Sequence, residues 1–381
     1  MHKAIFAILL VVLSVSSAFA DSVPILKKYT QKIDFSDDLH FEHMLGAIVR
    51  QEKSFKKLNL NELMIFGNRT IKRSHLQKSL LVFKKHVVNA LNCFQLYTAG
   101  VCYKEFSKQI NQSFEFYKPV PEKWEKGYAE QKTLFTAYYS PDFEGSFTQT
   151  AVFKNPIYAK PKSITLQKST SDQINYQNKL KNKNLAIMYV KQSLYDIWLL
   201  HVEGGGRVKI KGKDGKSYYM YLSYAGSNSG KFQMLYKYMI EQGMIIKGEA
   251  TIAKQREYFV NHPQEQRQIL ASCPSFIYFS LSTKEPVGVK SISLTENRSL
   301  ATDYRRLKEY GIINFVRAEK PIFENDSVSK IPFSRFFINQ DTGGAIKGNA
   351  RSDLYFGYGD QAELAANHVY GLGEQYFLIL K

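Results

Sequence analysis

The sequence predicts a mainly β protein whose first third is helical. Apolar residues recur at helical spacing in segments 39–58 and 79–97, and residues 101–117 continue this pattern. Near residue 134 the pattern changes to short aromatic and β-branched runs separated by turns, with helical spacing again at 231–243 and 249–261. The chain has 381 residues, which is long enough for more than one hydrophobic core. We therefore expect two domains.

The strands of the β-rich part are predicted from short apolar runs bounded by Gly, Pro, Asn, Asp and Ser. A segment rich in Lys, Asn, Gln and Ser, residues 163–184, predicts a solvated loop between two of them. The predicted strands are 135–139, 151–159, 185–190, 195–203, 206–211, 275–281, 286–294, 312–318, 334–339 and 374–380.

The first twenty residues have the features of a signal peptide. Lys3 gives a basic start, residues 4–13 are apolar, and residues 17–20 form a cleavage site of small residues. We expect cleavage after Ala20 and no lipid attachment there, because no Cys stands at that point. Since no other segment has the length and apolarity of a membrane span, the expected location is the periplasm or the cell exterior.

The three cysteines leave two interpretations open. Cys93 and Cys102 are close in sequence and can form a disulfide in an oxidising compartment, which would leave Cys273 unpaired. Equally, all three can be buried thiols. The cysteine spacing is not a zinc pattern and the eight His are scattered, with His368 alone in a helix-like run. We therefore expect no metal site.

The net charge of +18 indicates a partner that is a polyanion. The basic residues are spread along the whole chain rather than gathered in one arm, which favours cell-wall polymers over nucleic acid. The 25 Tyr and 26 Phe suit a protein that stacks rings on sugars, although a β core rich in aromatic residues has the same composition.

Residues 335–359 place two carboxylates beside glycines and aromatic rings. Asp341 follows an apolar strand and precedes a Thr-Gly-Gly turn, and Asp353 precedes Leu-Tyr-Phe and a Gly-Tyr-Gly turn. An acid in an apolar, aromatic pocket keeps its proton near neutral pH, because burial disfavours the charged form. The pattern indicates a glycan site, although Asp beside Gly also forms ordinary turns.

The same stretch is similar to the C-terminal motif of the membrane-bound lytic transglycosylase A family, which belongs to the wider three-aspartate domain. Further segments resemble motifs of that family in unbroken order, so that the resemblance covers about residues 130–381. These segments are FTAYYSPDFEGS (135–146), WLLHVEGGGRVKI (198–210), YLSYAGSNSGKF (221–232), CPSFIYF (273–279) and VGVKSISLTENRSLATD (287–303).

The resemblance implies a double-psi β-barrel with a second β-rich domain inserted into it and a groove between the two. The expected division is a signal peptide at 1–20, a helical N-terminal region at 21–146 that completes the barrel domain, the inserted domain at 147–280 and the barrel at 281–381. The resemblance also implies that Asp353 is the catalytic acid and base, that Asp341 supports it, and that Asp303 is structural.

The resemblance and the turn and aromatic composition together indicate which residues contact substrate. Many of the tyrosines suit core packing equally well, and Lys347 suits an exposed position. Where the family has Gln, Ser, Asn and Gly, this chain has Glu203, Gly205, Cys273 and Ser223, and Ala137 also replaces a Gly. Glu203 is either a solvated strand-end residue or one that reshapes the groove. The candidates are Tyr138, Tyr139, Glu203, Gly204, Gly205, Tyr224, Asn228, Thr342, Gly343, Gly344, Lys347 and Tyr355.

The implied function is that of a peptidoglycan lytic transglycosylase, a lyase that needs no cofactor. Its expected partner is the glycan strand of peptidoglycan, with no nucleic acid, and its charge also permits peripheral contact with an outer membrane or other cell-wall enzymes. One alternative is a hydrolase on the same barrel, with Asp341 or Glu203 as base. Others are a non-catalytic wall-binding protein and an aspartic protease, which would need a second Asp-Thr-Gly copy.

Overall fold

A computed structural model describes residues 25–285, 287–289, 292–308, 310–324 and 327–381. The predicted signal peptide lies outside these residues. Among the helices that the structure describes, none combines the length and the apolarity needed to cross a membrane.

Helices dominate the first third of the described chain and strands dominate the rest. The helices are α1 (Met44–Phe55), α2 (Arg73–Cys93), α3 (Ala99–Ser113), α4 (Ile164–Gln167), α5 (Ser171–Asn175), α6 (Leu194–Glu203), α7 (Leu235–Glu241), α8 (Ile252–Asn261), α9 (Gln266–Ala271) and α10 (Gly359–His368). The strands are β1 (Leu26–Tyr29), β2 (Leu63–Phe66), β3 (Arg69–Lys72), β4 (Phe114–Pro119), β5 (Thr133–Ser140), β6 (Asp142–Ser146), β7 (Asn155–Tyr158), β8 (Ala186–Val190), β9 (Gly205–Lys211), β10 (Ser217–Ser227), β11 (Ile277–Ser282), β12 (Ser299–Thr302), β13 (Ile313–Glu324), β14 (Ser327–Asp341), β15 (Arg351–Tyr358) and β16 (Tyr370–Leu380).

A closed six-stranded barrel forms the larger body of the protein. Its strands follow the order β16-β13-β14-β12-β15-β5, and β5 pairs back onto β16 to close the ring. Strands β4 and β1 extend the sheet outward from β16. Closure satisfies the backbone groups that an open sheet would leave at its edges. The predicted fold class, a β-barrel with a second β-rich domain, is confirmed.

The alternation of side chains along β5, β12 and β15 points apolar residues into the barrel and polar ones outward near the two aspartates. Phe135 of β5, Leu300 of β12 and Leu354 of β15 belong to one buried cluster inside the barrel. Because successive side chains of a strand point to opposite faces, their neighbours Thr136 and Asp353 point outward. Binary patterning of the sequence thus places the acidic residue on the surface of the barrel and not in its core.

The N-terminal third is helical as predicted, and its helices α1, α2 and α3 pack on the outside of the barrel. Phe83 of α2 and Phe106 of α3 contact the ring of Phe336 on β14, with ring centres 5.1 and 5.7 Å apart. The predicted helical pattern in 101–117 extends too far, because α3 ends at Ser113 and β4 begins at Phe114. Residues 114–117 pair with β16, so sheet formation overrides the local spacing.

A buried ion pair attaches the N-terminal segment to the barrel. The guanidinium of Arg298 donates to both carboxylate oxygens of Asp37, at 2.6 and 2.8 Å, and neither side chain is exposed to solvent. Asp37 also accepts hydrogen bonds from the backbone N–H groups of Phe41 and Phe336. Arg298 donates to the carbonyl of Glu42 as well, so both ions are compensated.

The second domain is built on a six-stranded sheet with the order β11-β10-β9-β6-β8-β7. The chain leaves the barrel at the end of β5, Ser140, and enters this sheet at the start of β6, Asp142. The chain thus crosses between the domains at Pro141, a few residues before the predicted boundary at residue 146. Strand β5 pairs with β15 in the barrel, and Pro141 alone separates it from β6 of the second domain. The two domains therefore meet next to β15.

Segment 195–203 is helical, and the predicted strand there is wrong. Ser193 caps helix α6 in a capping box with Asp196, and Gly204 ends it with a φ of 75°. The helix is apolar on all sides because Leu200 packs on the sheet of the second domain while Trp198 packs against α7, α8 and α9. A short continuous apolar run cannot distinguish such a buried helix from a buried strand.

Two other segments differ from the expectation. The predicted strand 286–294 shows only an isolated bridge between Val287 and Ser293 in its described part. The predicted loop 163–184 contains two short helices, α4 and α5, each capped by a Ser or Thr side chain. Neither segment has a long run of regularly spaced apolar residues, which is the signal that distinguishes helix from strand in a sequence.

The cysteines follow the first of the two interpretations. Cys93 at the end of α2 and Cys102 in α3 form a disulfide. Cys273 is a free thiol buried among the helices of the second domain. The disulfide closes the hairpin between two long helices of the N-terminal region.

Candidate active site

The two predicted acids lie on strands that flank one short barrel strand. Ala301 of β12 is paired with Asp341 of β14 on one side and with Asp353 of β15 on the other. Neighbouring strands lie about 4.8 Å apart, so the Cα atoms of the two aspartates are separated by about 10 Å. The buried Ala301 thus lies between the two aspartates in the sheet.

Asp353 is held by polar partners on the outer face of the barrel. Thr136, its partner across the β5–β15 pair, donates its hydroxyl to Oδ1 of Asp353. The guanidinium Nε of Arg351 lies 3.3 Å from the same oxygen. The Asp353 side chain is 18% exposed, so it is partly accessible without pointing into bulk solvent.

Asp341 is the acid that fits the apolar, aromatic surroundings expected from the sequence. Burial raises the pKa of its carboxyl to about 6, and the nearby charge of Asp353 acts in the same direction. Two hydrogen bonds act the other way, from the backbone of Thr342 and from the hydroxyl of Tyr138, which lies 2.9 Å from Oδ2 of Asp341. The ring of Tyr138 packs against Tyr355, with centres 5.1 Å apart.

A third carboxyl group reaches the same region from the second domain. Glu203 is the last residue of α6, and its Oε2 accepts a hydrogen bond from the backbone N–H of Tyr139 at 3.4 Å. Burial, together with the smaller effect of the charges of Asp353 and Glu363, raises the pKa of Glu203 to about 8. The site therefore combines acids from both domains and lies where the two domains meet.

Some of the predicted substrate contacts are directed to protein partners instead. Tyr355 is buried, and its hydroxyl lies 2.9 Å from the Ser140 hydroxyl. Tyr139 is also buried and donates its hydroxyl to Glu363 at 2.6 Å. These two tyrosines fit the core-packing interpretation that the sequence left open, whereas Tyr138 faces the acids.

Asn228 and Asp303 hold loops in place. The side-chain amide of Asn228 donates to two backbone carbonyls and accepts from two backbone N–H groups, those of Gly230 and Phe276. Asp303 accepts from the backbone N–H of Gly348 at 2.9 Å and pairs with Arg305. Asp303 thus connects the loop that follows Asp341 to the barrel, which agrees with the structural role implied for it.

The remaining candidates surround the acids in loops and on the sheet of the second domain. Thr342 follows Asp341 directly and donates its hydroxyl to the carbonyl of Thr302. In the loop after it, Gly343 is half-buried, whereas Gly344 and Lys347 are exposed. Gly204 ends α6 beside Glu203 and Gly205 begins β9, while Tyr224 is an exposed residue of β10. Their contacts with substrate stay predictions.

Sequence reasoning missed two residues that contact Asp353. Thr136 and Arg351 each precede a predicted site residue, Tyr138 or Asp353, by two positions, so they share its face of the strand. That spacing was a usable signal within each strand. The pairing of β5 with β15, which joins Thr136 to Asp353, had no local signal because the two residues are 217 positions apart.

Comparison with known proteins gives matches over both domains. A family model described as the MltA specific insert domain matches residues 134–280, and one described as the 3D domain matches residues 298–378. The chain is 32% identical over 258 residues to the membrane-bound lytic murein transglycosylase A of Vibrio cholerae, covering 67% of each chain. It is 30% identical over 231 residues to that of Escherichia coli, covering 60% of each.

Solved structures show the same fold at lower identity. A crystal structure of Escherichia coli MltA with bound chitohexaose matches with a TM-score of 0.69 and 21% identity, covering 93% of this chain and 94% of that one. A membrane-bound lytic murein transglycosylase from Agrobacterium tumefaciens matches with a TM-score of 0.65 and 20% identity, covering 90% and 93%.

Fold and site together define a barrel protein of the three-aspartate class, with paired acids facing an inserted domain. The chain belongs to the membrane-bound lytic murein transglycosylase A family.

Proposed function

We propose that the protein is a peptidoglycan lytic transglycosylase that cleaves the β-1,4 bond between MurNAc and GlcNAc without water and leaves 1,6-anhydro-MurNAc ends. The observation that carries this proposal is the pair Asp341 and Asp353, set on either side of Ala301 on the outer face of the barrel. The relatives are named lytic murein transglycosylases, which favours this function over a hydrolase or a non-catalytic binding protein.

In the proposed mechanism one carboxyl group acts first as an acid and then as a base. Protonated Asp353 donates its proton to the glycosidic oxygen, the C1–O bond breaks, and positive charge develops on the sugar, helped by the substrate's own N-acetyl group. The Asp353 carboxylate then removes the proton of the C6 hydroxyl, whose oxygen bonds to C1. The proton count of Asp353 is restored and no water is consumed.

The neighbours of Asp353 suit the stage at which it is ionised. The Thr136 hydroxyl and the Arg351 guanidinium both contact its Oδ1, so the carboxylate is stabilised once the proton has left. Asp341, when ionised, places a negative charge near the developing positive charge of the sugar. Its hydrogen bond from Tyr138 fixes the direction of that carboxylate.

Replacement of Tyr138 by Phe is expected to raise the pH at which activity appears. The lost hydrogen bond favoured the ionised form of Asp341, so the pKa of that carboxyl rises above its present value of about 6. The acid limb of the profile of kcat/KM against pH should move up by about half a unit or more. Tyr128→Phe, which changes an exposed tyrosine, is the control, and an unmoved acid limb in Tyr138→Phe contradicts this role.

The substrate and location that we propose follow from the charge and the N-terminal pattern. A net charge of +18 attracts the anionic cell wall, and peptidoglycan glycan strands supply both the sugars and the peptide carboxylates. The predicted signal peptide supports an extracytoplasmic location, in the periplasm or outside the cell. Contact with an outer membrane or with other cell-wall enzymes would use the same charge.

Digestion of purified sacculi followed by mass analysis tests the function. The expected products are muropeptides with anhydro ends, each lighter by one water than the product of hydrolysis. Products that carry the added water would establish a hydrolase on this barrel. Binding to sacculi without release of muropeptides would establish a wall-binding protein.

A further inference from the structure

Glu203 is a carboxyl group that the proposed mechanism does not use. It ends α6 of the second domain, and the barrel strand that approaches it, β5, donates one backbone N–H to its Oε2. No described residue forms a hydrogen bond with the other oxygen, Oε1. The structure therefore holds this side chain by one oxygen and leaves the second available.

The charges that face Glu203 are negative on two sides. Asp353 faces it from β15 and Glu363 faces it from α10, while Tyr139 on β5 donates its backbone N–H to Glu203 and its phenol to Glu363. The positive charge of Arg256, on α8, is used by Glu363, with which it forms two hydrogen bonds, and by Asp196. No described cation pairs with Glu203 itself.

Helix α6, which carries Glu203, does not stabilise a negative charge on that side chain either. The C-terminus of a helix bears a partial negative charge, which disfavours a carboxylate at the last residue. His201, on the same helix, stays uncharged because burial lowers its pKa to about 3. The backbone N–H of Tyr139 favours the ionised form of Glu203, but burial and the two neighbouring carboxylates outweigh it and favour the form that keeps its proton.

We propose that Glu203 is a positioning residue that acts as a neutral hydrogen-bond donor beside Asp353, and that its ionisation inactivates the site. A protonated carboxyl offers one donor and one acceptor, as a Gln side chain does in the same place. Ionisation removes the donor and sets a like charge beside the Asp353 carboxylate that forms after the first proton transfer, which raises the energy of that state. This inference rests on the proposed transglycosylase function.

The alkaline limb of the activity profile tests the inference. Because the pKa of Glu203 is about 8, its protonated fraction falls about thirtyfold between about pH 7 and about pH 9.5. Wild-type kcat/KM on sacculi is expected to fall by at least this factor, because Asp353 must also carry a proton in the first step. In Glu203→Gln the fall is expected to be about thirtyfold smaller than in the wild type, since an amide does not ionise and the need for a protonated Asp353 is common to both proteins.

Two further variants separate the donor from simple packing. Glu203→Leu keeps the volume but has no donor, so its kcat is expected to be lower than that of Glu203→Gln by about tenfold at both pH values. Glu144→Gln changes a half-exposed glutamate of the same domain, and its profile should retain the wild-type alkaline fall. A Glu203→Gln profile with that same fall overturns the inference.

Urea unfolding supplies a readout that does not depend on activity. A carboxyl whose pKa is raised on folding loses its favourable contribution as pH rises from its unfolded value, about 4.5, to about 8. The urea midpoint of Glu203→Gln relative to wild type should therefore increase across that range. A midpoint difference that does not change with pH contradicts a protonated Glu203, whereas wild-type enzyme that releases no anhydro products contradicts the proposed function alone.

Discussion

Replacing Asp353 by Asn is expected to reduce the release of anhydro-muropeptides by at least about 1,000-fold. Asn has nearly the same shape but can neither donate a proton to the glycosidic oxygen nor remove one from the C6 hydroxyl. The change affects both halves of the reaction, so its effect should exceed that of any other single change on the groove. The amide oxygen can still accept the hydrogen bond that Thr136 now donates to Oδ1.

The folded structure should tolerate this change. Asp353 interacts with Arg351 at 3.3 Å, and both side chains keep some exposure, so the lost ion pair costs less than about 1 kcal/mol. The measurement is release of muropeptides from sacculi, with circular dichroism and the thermal midpoint as checks of folding. Asp214→Asn, in an exposed turn of the second domain, is the matched control. Activity of the Asp353→Asn variant within tenfold of wild type would remove Asp353 from its proposed role.

Replacing Arg298 by Met is expected to lower the free energy of unfolding by about 3–5 kcal/mol. Arg298 and Asp37 are both fully buried, and the change leaves the Asp37 carboxylate without its cation inside the protein. The hydrogen bonds that Asp37 accepts from Phe41 and Phe336 remain, but they cannot compensate a full charge in a region of low polarity. The N-terminal segment should therefore separate from the barrel more readily.

Urea unfolding of the wild type, Arg298→Met, Asp37→Leu and the double variant measures the coupling between the two charges. The double variant should be more stable than Arg298→Met, because it no longer buries an unpaired carboxylate. Arg306→Met, which removes a half-exposed cation paired with Glu122, is the control and should cost less than about 1 kcal/mol. If Arg298→Met costs no more than this control, the ion pair does not hold the two parts together.

The fold could be predicted to the level of its domains because several signals agreed. The helical spacing around Phe83 and the change of pattern near residue 134 separated the helical part from the strands, and the ordered motifs implied the inserted domain. Helix α6 was missed because Leu199 and Leu200 face different cores, so its apolar residues show no periodicity. A hydrophobic pattern reports a buried face only when the other face is exposed.

The candidate site was predictable where its residues stand together in the sequence. Asp341 and Asp353 belong to one stretch of strand and turn, whereas Glu203 and Thr136 approach them from distant parts of the chain. The sequence also could not predict the direction of each tyrosine side chain. Tyr138 and Tyr139 are adjacent, and only Tyr138 faces the two aspartates. Register between distant strands decides such questions, and a single sequence carries little information about it.

The closing strand of the barrel determines when this protein can finish folding. Strand β5 lies between β15 and β16, although its partner residues in β15 follow it by more than 200 positions, as Thr136 and Asp353 do by 217. Until β15 and β16 have been synthesised, β5 lacks its two neighbours in the ring, and a nascent or truncated chain exposes unpaired backbone groups. Loss of β16 alone would remove its pairs with β5 and β13, so a frameshift that removes only this strand should prevent closure of the ring.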